Sequence, residues 1–96
     1  MHTNTKIPRM VLGKEPDPLA QGPLYRLVEI LREETWVVIP MKELNLGQIF
    51  RVFEPDGHRT RIKDADGYTV FQARTNPEIS PPGFWVVGYR GVSREE

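Results

Sequence analysis

Ninety-six residues carry thirteen lysines and arginines against thirteen aspartates and glutamates, so the formal net charge is zero and no global field draws the chain to nucleic acid or anionic membrane. Hydrophobic residues make up 39% and charged residues 27%, too apolar for a disordered chain and too mixed for a membrane span, which leaves one small soluble globular domain. The lack of cysteine removes disulfides, thiolate nucleophiles and cysteine zinc sites, which suits a reducing cytoplasm, and residues 1–13 hold no continuous apolar stretch of the kind a signal peptide or anchor needs.

Residues 1–23 contain Pro8, Pro16, Pro18 and Pro23 with little apolar periodicity, and proline restricts both itself and its predecessor to extended geometry. They read as an extended arm outside the core. Met10 and Leu12 are its candidate contact residues, apolar side chains free to lie in a groove of a partner or of a second copy. On that reading, removing residues 1–19 leaves the fold intact.

From Leu24 the pattern changes. Leu24, Leu27, Val28 and Leu31 follow helical spacing, Pro23 suits the first turn, and Arg26, Glu29, Arg32 and Glu33 face away, so residues 24–34 are expected to form one amphipathic helix. The competing template is a strand over residues 25–31 paired with Trp36 to Ile39. Its apolar content fits equally, but Glu33 and Glu34 lack the turn chemistry of a tight hairpin.

Trp36, Val37, Val38 and Ile39 form a β-branched run closed by Pro40, hence a strand whose pairing ends there. Gly47 supplies the bend into a new strand at about residue 48. Two four-residue turns, Glu54-Pro55-Asp56-Gly57 and Asp64-Ala65-Asp66-Gly67, then bound strands near 48–53, 58–63 and 68–73, and a last strand runs near 84–89. Five short antiparallel strands with one helix predict a mainly β fold of the α+β kind, an SH3-like barrel over residues 24–92 with a polar tail at 93–96.

Catalytic chemistry is scarce. Asp64 to Gly67 resembles the middle of a calcium loop, but Ile62 and Ala73 fall where its first and last ligands belong. His58 follows a tight turn, neither Ser80 nor Ser93 sits in a nucleophile elbow, and no phosphate-loop or histidine metal spacing occurs. The expectation is a protein without enzymatic activity, cofactor or metal.

Two binding patterns remain. Arg59, Arg61 and Lys63 alternate, so a strand would project all three from one face, and Arg51 on the neighbouring strand widens the patch toward phosphates or an acidic protein surface. The same pattern also serves an edge strand as protection against aggregation. Phe84 and Trp85 are adjacent and must point to opposite faces, and Trp85 is taken as the exposed contact aromatic.

The stretch from Leu44 through Gly57, followed by Asp66, Gly67 and Phe71, resembles small uncharacterised tailed-phage proteins over about residues 44–76. The resemblance carries no catalytic residues. It implies an accessory protein inside an infected bacterium that docks on a host protein or on itself, or else a virion component. Nucleotide or nucleic-acid binding through the basic residues, including sequestration of a defence signal, is the other class of function the reading keeps.

Overall fold

The computed structural model describes residues 7–14, 26–55 and 58–94. Seven strands account for most of the regular structure: β1 (Arg9–Gly13), β2 (Leu27–Arg32), β3 (Thr35–Ile39), β4 (Ile49–Phe53), β5 (Val70–Ala73), β6 (Glu78–Ile79) and β7 (Trp85–Ser93). A single 3-10 turn, Met41–Glu43, is the helical element among the described residues, and none of them forms a helix long and apolar enough to cross a membrane.

The strands form one antiparallel sheet in the order β1-β7-β5-β4-β2-β3, with β6 also pairing β7. β7 is the longest because it serves three neighbours: β1 and β6 pair with its first half and β5 with its second. Gly91 lets the Tyr68 ring lie against the backbone of β7, since a Cβ there would sit 2.2 Å from the ring. The sheet curls so that β1 and β2 share a core, with Leu12, Val28, Ile30, Phe50, Val52, Phe71 and Val87 each no more than 1% exposed. Phe50, Phe71 and Tyr89 form a stepped aromatic stack at its centre, with ring centroids 5.6 and 5.1 Å apart. No pairing among the described residues joins β1 to β3, so the sheet is curled rather than a clearly closed barrel.

The helix expected over residues 24–34 is instead the β2–β3 hairpin, with Val28 opposite Ile39, Ile30 opposite Val37 and Arg32 opposite Thr35. Period two wins because Val28 and Ile30, β-branched and two apart, both reach the core, whereas the helical template turns Ile30 outward. Leu31, part of the helical stripe, is 40% exposed. The turn forms against its chemistry: Glu33 and Glu34 both take positive φ, 49° and 67°, as a type I′ turn demands. Burying one face of β2 outweighs about 1–3 kcal/mol of strain at each of these residues.

The arm needs a second correction. β1 pairs with β7 from Arg9 opposite Gly88 to Gly13 opposite Trp85, and it inserts Met10 and Leu12 into the core. Prolines flank this segment without interrupting it, and its alternation, Met10 and Leu12 in and Val11 out, is that of a strand. Removing residues 1–19 therefore removes core, and intact folding of such a fragment is no longer expected.

Residues 58–63 also differ from expectation. They touch β4 through one bridge, Phe53 to Arg61, with Glu54 N–H donating to Thr60 and Ile62 N–H to Val52. Arg59 takes φ +56°, which interrupts a regular strand. The sheet has seven strands where five were expected, since β1, β2 and β6 are added and residues 58–63 drop out, and the last strand runs on to Ser93; the local turn and stop signals stand as expected. Pro40 follows the last β2–β3 pair, and Gly47 bends at φ +92°. The Asp64 to Gly67 turn closes with Gly67 N–H on the Asp64 carbonyl, and Gly67 is left-handed at φ +87°. Asp56 and Gly57 of the first turn lie outside the described residues. At the carboxyl end Arg94 is docked, its Nε donating to the Asp66 carbonyl at 2.9 Å and its guanidinium lying over Tyr68.

Candidate functional site

The outward face of β2, β3 and β4 carries a charged cluster that the register builds. Glu29 on β2 lies opposite Arg51 on β4 and Val38 on β3, so all three side chains project from the same side of the sheet. Arg51 donates from Nε to Glu29 Oε1 at 2.8 Å, and its Nη2 lies 2.8 Å from the same oxygen. Arg59 reaches over from beyond the turn, its Nη2 2.6 Å from Glu29 Oε2.

Both guanidiniums also lie on rings. Arg51 stands 4.1 Å from the Trp36 ring centroid and 5.3 Å from that of Phe53, and Arg59 stands 4.5 Å from Phe53. Each such contact adds about 0.5–2 kcal/mol, more where water is excluded. The layer seals Phe53, which is 3% exposed although it faces away from the main core. Burial by itself would raise the Glu29 carboxyl, but hydrogen bonds from Arg59 and Arg51 and their positive charges outweigh it and hold the group below its ordinary 4.5. Glu29 is therefore an ionised bridge between two cations.

Beyond Arg59 the surface opens into a pocket of about 310 Å³ lined by Arg59, Arg61, Lys63 and Thr69. The three cations come together without the regular strand on which their alternation was read, since Arg59 is left-handed and only Arg61 bridges to β4. Arg59 is 57% exposed at its side chain, Lys63 is exposed and Arg61 is half-buried. Arg51, grouped with them from the sequence, is instead folded into the Glu29 bridge with 13% of its side chain exposed.

The second feature of this face is its edge. β3 ends the sheet path, and no described strand pairs with its outer side. In a two-residue hairpin the pair flanking the turn exchanges both hydrogen bonds, here Arg32 and Thr35, so Ile30–Val37 and Val28–Ile39 are the next bonded pairs. Trp36 and Val38 consequently direct N–H and C=O away from the sheet. Val38 is 52% exposed. A largely apolar hollow of about 270 Å³, lined by Arg26, Leu27, Val28, Val38, Ile39, Pro40 and Met41, lies at the end of the strand.

The remaining sequence candidates lie elsewhere. Met10 and Leu12 are core residues, and Trp85 packs half-buried against the core while Phe84 takes the exposed position under Lys14. The choice between those two aromatics depends on which face of the strand turns to the core, and adjacency in sequence carries no information about that. Sequence reasoning missed Glu29, Trp36 and Val38. The available signal was one acid inside the apolar run of β2 and one base inside that of β4. No protein-family model matches the chain, and neither a curated protein nor a solved structure is found similar to it.

Proposed function

We propose that this chain is a non-enzymatic binding module whose β3 edge takes an extended segment of a protein partner as an added strand. The outward N–H and C=O groups of Trp36 and Val38 carry the reading, because they leave four backbone hydrogen bonds to be made along a β-branched strand without proline or lysine. At about 0.5–1.5 kcal/mol net each, such bonds give useful affinity once a side chain anchors the added strand. The hollow beside Val38, Ile39 and Pro40 supports that anchor and calls for an apolar residue. Among the described residues, Arg59 and Arg51 hold the Glu29 carboxyl low, while burial and then the Asp64 carboxylate push the Tyr89 hydroxyl up. Together with the resemblance to small tailed-phage proteins, the reading becomes that of an accessory protein docking on a host protein.

Val38→Pro tests it. The Val38 N–H points out of the sheet, so proline removes an edge donor without breaking a pair within the hairpin. A protein captured from bacterial lysate is to be purified and titrated against the intact chain and this variant. The expected result is binding weakened about tenfold or more with the far-ultraviolet circular dichroism retained. Equal affinity for both chains overturns the edge as the docking surface, and a dimer of this chain that Val38→Pro dissociates assigns the edge to a second copy instead.

A further inference from the structure

We infer that the hollow on the outer side of the first half of β7, flanked by Arg9 and Glu78, binds a small zwitterion of the α-amino acid type. The inference does not rest on the β3 edge. Val87 and Tyr89 turn into the core, so Val86 and Gly88 face outward and form the floor of a hollow of about 210 Å³. Arg9 lies on β1 opposite Gly88 and Glu78 lies on β6 opposite Val86, which puts a cation and a carboxylate on one face at either flank of β7. Two strand spacings across and two residues along place their Cα atoms about 12 Å apart, so side chains reaching inward from both flanks leave room between their heads for a ligand that carries both charges.

Two hydroxyls of the lining are oriented by the backbone before any ligand arrives. Thr75 Oγ1 accepts from the Gly88 N–H at 2.9 Å and Ser80 Oγ from the Phe84 N–H at 3.2 Å, so each hydroxyl keeps its own hydrogen to donate. Gly88 makes the first of these contacts possible, since a Cβ there would stand 2.9 Å from Thr75 Cγ2 and push that side chain off the strand. The second is held by a tight loop, with Ser80 N–H donating to the Phe84 carbonyl and Gly83 N–H to the Ser80 carbonyl. The Arg9 guanidinium together with a directed hydroxyl suits a carboxylate, and Glu78 suits an ammonium group.

Size and surroundings favour a free amino acid over a larger partner. About 210 Å³ lies below the range of drug-sized sites. Val86, Ile79 and Pro81 line the same hollow and Ile79 is 59% exposed, so the ligand's own side chain meets apolar surface, and an aliphatic one gains most from the contact. A peptide terminus presents only one of the two charges and leaves either Arg9 or Glu78 without its counterpart.

The test is titration of the full chain with leucine, with N-acetyl-leucine, which lacks the ammonium group, and with leucinamide, which lacks the carboxylate, read by amide chemical shifts. Leucine is expected to saturate, with shifts centred on Thr75, Ser80, Val86 and Gly88, and to bind about three- to tenfold more tightly than either blocked form. Arg9→Gln should weaken leucine and N-acetyl-leucine and leave leucinamide unchanged, whereas Glu78→Gln should weaken leucine and leucinamide and leave N-acetyl-leucine unchanged. Both side chains are exposed, so neither replacement removes core. Failure of leucine to saturate, shifts located elsewhere, or affinities indifferent to the two replacements would overturn the inference. A blocked form that binds as tightly as leucine would overturn the free zwitterion in favour of a peptide terminus.

Discussion

Leu12→Ala asks whether residues 9–13 are core or arm. Leu12 is 0% exposed and sits on β1, whose partner β7 also carries the buried Val87 and Tyr89. Truncating a fully buried leucine removes about three methylene-sized groups from the core and leaves a cavity, and such changes cost about 2–5 kcal/mol. A chain of 96 residues has a total stability of about 5–14 kcal/mol, so a loss of about 3 kcal/mol, inside the range for such truncations, is a large fraction of it. The midpoint of thermal unfolding should fall by about 12–24 °C. Urea unfolding followed by tryptophan fluorescence measures the loss, with Val11→Ala as the companion because Val11 is the next residue on the same strand and is 46% exposed. Its cost should stay near 0.5 kcal/mol. If the two substitutions cost the same, β1 does not contribute to the core and the segment is an arm after all.

Two further outcomes follow from the outer face and the hairpin turn. Glu29, held below 4.5, contributes stability that is fully present above that value and is lost as pH falls through the lower folded value, so the urea midpoint should drop in acid. Glu29→Gln should cost about 2 kcal/mol near neutrality and show a smaller drop on acidification than the parent chain; parallel pH profiles for the two would refute the ionised bridge. Replacing Glu33 by Asn together with Glu34 by Gly supplies the residues that two positive φ values favour and should raise stability by about 0.5–1.5 kcal/mol, read as a higher urea midpoint, whereas a lower midpoint would contradict the left-handed turn.

Those parts of the protein whose signals are local can be read along the chain before any long-range contact is known. The Asp64 to Gly67 turn, the bend at Gly47, the stop at Pro40 and the apolar runs that became β3, β4 and β5 were all legible, because turn geometry and β-branching act within a few residues. Arg59, Arg61 and Lys63 do line one hollow, but the strand over 58–63 from which their grouping was read is not formed. Tertiary structure decided the rest. Leu24 to Leu31 satisfies both periods, and only the partner strands β3 and β4 on either side select the extended form. The same pairing pulls Glu33 and Glu34 into a turn they disfavour, and it turns Glu29 from an expected solvent residue into a buried carboxylate. β1 becomes a strand because the first half of β7 offers an edge some seventy-five residues away in sequence, a contact that no local window contains. Which residues are spent on the core and which remain for a partner is settled by those long-range pairings, since burial depends on what each face of a strand meets.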